Sequence, residues 1–332
     1  MKLKVYRSSK FAVSLFLLLG LLHTTTAQRN TFSVEEVTHL NWGNNPQKVH
    51  YAQLPGFNFG VTSFEVIDNN RIAFLSNSSH EIIIADAQKN EISYRFTVKP
   101  FSRDFIYENG LFYVLKNYNV TIYNTQGETI NSIDYSRDIL GVVKITRFNN
   151  ETYLILPSGK SVKIESNGNE VTSEETKGVI TEKGNLVSSY ISGTNTYTIL
   201  FSNSEKRTIE NTFTTNEKVA GIFFVGQTEN TLIFDLQTYL SESPISVKRE
   251  LIEISIGDGL QGLNTIDIPT MYFVSTKKDF EVTSQGNIYH MITAPKGVYV
   301  FKLNSSPNIQ IGYPEYITSK EYHYNNHLIH VD

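Results

Sequence analysis

The chain has 332 residues, 29 Lys and Arg against 33 Asp and Glu, and a formal net charge of −4. A mildly acidic surface exerts no general attraction on phosphate backbones or anionic lipid, and no run of Lys and Arg marks a nucleic-acid groove. Cysteine is absent, which excludes disulfides, iron–sulfur clusters, thiolate zinc sites and a lipid anchor on an N-terminal cysteine.

Residues 1–27 read as a signal peptide. Lys2, Lys4, Arg7 and Lys10 form a basic start, residues 11–22 are apolar, and Thr25-Thr26-Ala27 supplies small residues before an expected cleavage at Gln28. The apolar run is too short to span a bilayer, and no later segment approaches the ~20 residues a span needs. An uncleaved N-terminal anchor is the alternative. Loss of those four cations leaves 25 Lys and Arg against 33 acidic residues, a net of −8. The expectation is an exported protein, secreted or periplasmic and without a membrane span, and the missing cysteines favour a bacterial source. Residues 28–55 form an N-terminal segment, and residues 56–332 the folded domain, with a tail from about 305.

From residue 60 onward the chain alternates short β-branched and aromatic runs with Asn, Gly, Ser and Pro, and no segment shows helical spacing of apolar residues. A strand-turn-strand phrase recurs at residues 64–74, 105–113 and 280–289. Repeats of about 40 residues made of short strands are the mark of propeller blades, so the chain is expected to be an all-β β-propeller. Blade one parses as 63–68, 71–76, 81–86 and 91–98; blade two as 104–108, 111–116, 119–124 and 128–135; blade three as 142–148, 152–156, 161–166 and 170–175. Asn109-Gly110 suits a two-residue hairpin, whose central positions both need positive φ.

The first inner hairpin turns then fall near Asn69, Asn109, Asn149, Gly193, Glu229 and Gln285, which gives six four-stranded blades. Blade five is irregular between Leu236 and Gly262, and residues 239–244 read as an extended loop before a strand at 250–256. Blade six has strands at 280–284, 287–293 and 298–303 and lacks a fourth. Residues 48–54 are expected to close the ring from the N-terminus, removing an exposed edge. Residues 309–313 are the other candidate, and a seventh blade shared between the termini is a further alternative.

Residues 279–303, with Gly286-Asn287-Ile288-Tyr289 and Gly297-Val298-Tyr299-Val300-Phe301-Lys302, carry a resemblance. Over about residues 56–304 the chain resembles secreted six-bladed propellers of the NHL-like and TolB-like kind, common in Bacteroidota. Asn326-His327-Leu328 spells the NHL triplet, but the glycine and aspartate pattern of NHL repeats is incomplete. The resemblance implies a scaffold for protein or glycan contacts, sometimes carrying lyase or hydrolase chemistry in the central tunnel.

Three basic-acidic pairs precede innermost strands: Arg103-Asp104, Arg137-Asp138 and Lys278-Asp279. Convergence at the tunnel mouth would make them a polar lining for a ligand with carboxylate or hydroxyl groups. The competing reading is that each aspartate accepts backbone N–H bonds at a blade junction. Glu321, His323, His327, His330 and Asp332 offer metal-ligating side chains, but strand spacing puts His330 on the opposite face from His323 and His327, and no metal site is expected. A lyase could use Tyr289 or His290 as base with Arg103 against a uronate carboxylate. No nucleophile elbow, phosphate loop, dinucleotide fingerprint or calcium loop is present, so no cofactor and no catalytic residue is assigned. The leading expectation is a non-catalytic propeller binding a protein or glycan at one face of the ring. The alternative is a carbohydrate-active lyase or hydrolase at the tunnel mouth.

Overall fold

Middle strands such as Arg71–Ser76 and Glu81–Asp86 bury consecutive residues, so both faces of their sheet are covered. A sheet of this kind must stand between two others, and a ring of such sheets satisfies every member. The computed structural model describes residues 31–55, 57–164, 174–205, 207–270, 273–306 and 312–318. They form a six-bladed β-propeller, each blade a four-stranded antiparallel sheet.

Blade one comprises Val61–Val66, Arg71–Ser76, Glu81–Asp86 and Glu91–Thr97, and blade two Asp104–Glu108, Leu111–Lys116, Asn119–Asn124 and Thr129–Asp134. Blade three comprises Lys144–Phe148, Glu151–Ile155, Ser161–Ile164 and Glu174–Thr176. Blade four comprises Val179–Ile180, Leu186–Gly193, Thr196–Ser202 and Thr208–Thr214. Blade five comprises Val219–Gln227, Thr231–Glu242, Ile245–Ile256 and Leu260–Ile268. Blade six comprises Phe280–Val282, Ile288–Ala294 and Gly297–Ser306, with Thr31–Asn41 as its outermost strand. No seventh blade is present among the described residues.

The N-terminus therefore closes the ring, but with Thr31–Asn41 rather than 48–54. Residues 309–311 of the downstream candidate lie outside the described residues, as does the 321–332 cluster. Ala52–Leu54 pairs instead with Phe57–Phe59 in a separate small hairpin. The closing strand runs antiparallel to Gly297–Ser306, from Thr31↔Ser306 to Asn41↔Gly297, with a bulge between Glu36 and Thr38. Before the bulge, Phe32 and Val34 pack with Ile233 and Leu251 of blade five; after it, Leu40 packs with Val61 and Phe64 of blade one. One strand thus seals blade six against both neighbours. Trp42 follows at once and donates its indole N–H to the Ala294 carbonyl at 2.7 Å.

Two more expectations need correction. The first inner turn of blade four is at 181–185, because the inner strand is only Val179–Ile180, and Gly193 lies in the next hairpin. Gly184 in that turn has φ +76, and a Cβ there would come within 2.3 Å of the Phe148 ring of blade three. Residues 239–244 are no loop: strands Thr231–Glu242 and Ile245–Ile256 stay paired up to Glu242↔Ile245. The Asn109-Gly110 turn has both residues at positive φ, 52 and 80, as its dipeptide requires.

Phe32 is 1% exposed and bridges blades five and six. Phe32→Ala should lower unfolding stability by about 3–5 kcal/mol in urea titrations. Ile130→Ala, on an outer strand at 57% exposure, should change it by less than about 0.5 kcal/mol. Equal effects would contradict the closing role of Thr31–Asn41.

Candidate functional site

The innermost strands all begin at one end of the ring, termed the upper face, and turn back at the other, the lower face. Connections between blades, together with the turns joining second and third strands, lie on the upper face. A cavity of about 980 Å³ opens there, and one of about 500 Å³ opens on the lower face. The two have no wall residue in common.

What separates them is an ion cluster. Lys278 is a wall residue of the upper cavity, and its ammonium pairs with the carboxylates of Glu65 and Glu281, which are wall residues of the lower one. All three side chains are at most 10% exposed. Burial, then the Glu281 carboxylate, push the Glu65 carboxyl up to about 8 against the pull of Lys278. Burial opposes the charged Lys278, yet Glu281, Glu65 and Asp104 together hold its pKa above the ordinary lysine value. The backbone N–H groups of Lys277 and Lys278 both donate to the Thr62 carbonyl, at 2.6 and 3.1 Å. Blade six is thereby tied to blade one at the centre of the ring.

A second network borders the upper cavity. Arg249 of blade five donates to Asp235 at 2.8 Å and to Asp279 at 2.8 Å. Behind Asp279 stands His290, wholly buried, stacked on Phe280 with ring centroids 4.3 Å apart and hydrogen-bonded through Nδ1 to the Tyr313 hydroxyl at 2.6 Å. Burial pulls the His290 imidazole down to about 3, against the Asp279 carboxylate and with the help of Arg249. It is therefore neutral across the physiological range, and its ring has no open side toward a ligand.

The rest of the upper wall is mainly apolar, including Val179, Val187, Ile222, Phe224 and Phe273. Phe223 on the innermost strand of blade five is 53% exposed. Its ring lies over Gly221, where a Cβ would meet it at 2.5 Å, so the absence of a side chain there lets the ring lie flat. Sequence reasoning did not single out Phe223, Phe273 or Arg249. The available signal was an innermost strand, Gly-Ile-Phe-Phe-Val-Gly, whose consecutive apolar residues leave one large ring beside the tunnel.

Of the six residues read as a mouth lining, Lys278 and Asp279 line the upper cavity. Asp104 is 1% exposed and joins three blades: it accepts from Ser63 Oγ of blade one at 2.7 Å and from the Ile145 N–H of blade three at 3.1 Å. Arg103 is exposed on the connection from blade one to two, where it donates to the Val142 carbonyl at 3.3 Å. Arg137 and Asp138 are exposed on the next connection, with Arg137 over the Tyr118 ring at 5.9 Å and Asp138 accepting from Ser136 Oγ at 3.1 Å. Tyr289 lines the lower cavity, the opposite end of the ring from Arg103. Among the described residues no group of three or more His, Cys, Asp or Glu could hold a metal ion, and no helix is long and apolar enough to cross a membrane.

These sheets define the protein's class as a six-bladed β-propeller. No protein-family model and no curated protein matches the chain. Similar solved structures include Kuenenia stuttgartiensis hydrazine synthase, at 14% identity and TM-score 0.49, over 72% of this chain and 74% of that one. A streptogramin B lyase structure shares 13% identity at TM-score 0.45, over 84% of this chain and 100% of that one. BamB from Moraxella catarrhalis shares 8% at TM-score 0.39, over 81% and 99%. These are likenesses of fold alone.

The buried groups give stability a two-signed pH dependence. Native Glu65 binds a proton between its ordinary 4.5 and about 8 whereas the unfolded chain does not, so its contribution falls as pH rises through that window. His290 works the other way: between about 3 and 6.5 only the unfolded chain is protonated, so its contribution falls as pH falls. Urea midpoints taken from pH 4 to 9 should show Glu65→Gln losing the decline between pH 5 and 8 relative to wild type. A variant profile parallel to wild type would refute the buried-carboxyl assignment.

Proposed function

We propose that this protein is a non-catalytic binding propeller, exported to the periplasm or the medium, that recognises a partner at the upper mouth. Propellers commonly serve as rigid interaction scaffolds, and function on them resides in particular sites. The observation that carries the reading is the upper cavity itself. Its Arg249 is paired with Asp235 and Asp279 and its Lys278 with Glu65 and Glu281 beneath, Lys144 donates to the Val225 carbonyl, Lys277 is exposed, and the walls with the half-exposed Phe223 offer apolar surface. Such a site suits an apolar group inserted by a ligand.

Protein fits better than glycan as the partner class. Sugars need several side-chain donors and acceptors aimed at their hydroxyls, whereas Arg249, Asp235, Asp279 and Lys278 are engaged with charged partners and the remaining wall is mainly apolar. The enzymatic alternative draws on the convergence of Arg249, Asp279, His290 and Tyr313. Against it, His290 is buried and its Nδ1 is bound by Tyr313, so a ligand in the cavity meets Asp279 and Arg249 as a paired unit.

Panning a random 12-residue peptide library on the protein, beside a glycan array and a uronate-polymer turnover assay, tests this reading. Peptides are expected to be enriched, and Phe223→Ser should weaken the best by at least tenfold with the urea midpoint unchanged. Turnover of a polymer, or glycan binding unaffected by Phe223→Ser with no peptide enriched, would overturn it.

A further inference from the structure

The upper face is not uniform. Over blades two and three it carries large exposed apolar side chains: Phe101 at 74%, Leu140 at 66%, Val143 at 48% and Tyr118 at 39%. Cations stand among them, with Lys99, Arg103 and Arg137 exposed and Lys116, Lys144 and Lys160 half-buried. Among the described side chains of this sector the exposed carboxylates are Asp134 and Asp138, which accept hydrogen bonds from Asn119 and Ser136. At the lower ends of blades one to three Asp68, Asp86, Glu108 and Glu151 are ion-paired with Arg71, Lys89, Arg147 and Lys163, which leaves Glu91 and Glu128 as an acidic surplus. The two faces of one half-ring thus differ in both charge and polarity.

The patch is continuous and preformed. Arg103 joins the connection 98–103 to 135–143 through the Val142 carbonyl, and Arg137 lies over Tyr118. Val143 and Lys144 then form part of the wall of the upper cavity. Beneath the surface, Ile139 and Val142 are buried in the core between blades two and three. Backbone bonds from Arg103 N to Leu115 O, Ile139 N to Ser136 O and Val143 N to Ile155 O fix both connections. A platform held in this way loses little freedom on binding.

On the far side of the cavity the blade-five hairpin continues past its neighbours, since the first strand pairs only as far as Val219↔Thr238 and the fourth only as far as Arg249↔Ile268. Four to five further residues on each arm extend it by about 15 Å. Leu240 and Ile245 near its tip are 64% and 76% exposed. A projection on one side of the mouth walls the face along one edge, which fits a linear segment better than a flat bilayer.

We propose that this upper face docks an acidic polypeptide segment bearing apolar side chains, which inserts one side chain into the mouth and runs outward over blades two and three. The inference rests on the reading of the mouth as a recognition site. Charge complementarity selects the partner: Lys99, Arg103 and Arg137 attract Asp and Glu, while Phe101, Leu140 and Val143 take the interleaved Leu or Phe. The lower turns, with paired charges and a small surplus of carboxylates, offer the same segment no such attraction.

The probe is a fluorescein-labelled consensus peptide from the library selection, measured by anisotropy at low and physiological salt against wild type, Arg103→Glu/Arg137→Glu, Leu140→Ser and Phe223→Ser. All four positions are exposed, and unchanged urea midpoints establish that the variants fold. The proposal expects a consensus rich in Asp or Glu with Leu or Phe. It also expects a tenfold or greater loss in the charge-reversed variant, a smaller loss in Leu140→Ser, and weaker binding as salt rises. A neutral or basic consensus, or wild-type affinity in Arg103→Glu/Arg137→Glu while Phe223→Ser abolishes binding, overturns the docking path and leaves the mouth reading standing. Loss in the charge-reversed variant without loss in Phe223→Ser overturns the mouth reading instead. Tighter binding to phosphatidylglycerol vesicles or to a random single-stranded DNA oligonucleotide than to the peptide also overturns the proposal.

Discussion

Everything in this molecule depends on closing the ring between blade six and blade one. Each blade is apolar on both faces, so an open ring would leave two such faces in water. Closure is made twice. On the outside Thr31–Asn41 completes blade six and, by means of its bulge, buries Phe32 and Val34 toward blade five and Leu40 toward blade one. At the centre Lys278 reaches Glu65 across the seam while pairing with Glu281 on its own blade. A buried ion cluster of this kind adds less to net stability than apolar packing does, because desolvation offsets much of the attraction. Removing one partner is costly, however, so the cluster specifies how the two blades meet.

The same cluster shapes function. It stands at the seam of blades one and six between two mouths with separate walls, and the chemistry of each follows from the ends of the strands that surround it. The upper mouth takes the connections between blades, where Phe223, Phe273 and the Arg249 network lie. The lower mouth takes the inner turns, with Glu65, Glu108, Glu182 and Glu281 among its walls. A ligand meets one chemistry or the other according to the mouth it enters.

The repeat was legible because its turns are chemically explicit. Asn109-Gly110 announces two positive φ values, and the Phe-led inner strands of blades one, two and six recur at readable spacing. Where the reading slipped, a local signal was missing for a physical reason. The inner strand of blade four is only Val179–Ile180, too short to alternate, so the next hairpin at Gly193 took its place. In the closing strand the buried positions are 32, 34, 38 and 40, but exposed Glu35 and Glu36 at the bulge interrupt the apolar alternation, so no continuous strand signal marks it. The arm at 239–248 contains exposed residues, bulges between Tyr239 and Ser241, and so shows no burial pattern. The cross-blade partners of Lys278 and Arg249 were beyond sequence reading, since Glu65 is 213 residues from Lys278 and Asp279 is 30 from Arg249, and no short-range spacing encodes such contacts. Asp104 resisted assignment for a related reason: an aspartate before an inner strand looks the same whether it faces a ligand or, as in this fold, Ser63 and the Ile145 N–H.

Hydrogen–deuterium exchange with and without a bound peptide tests most directly which end of the ring is the recognition face. The account predicts added protection on the upper face, at 98–103, 135–143 and 219–225, with the lower turns at 67–70, 181–185 and 283–287 unchanged. Protection confined to those lower turns would contradict it.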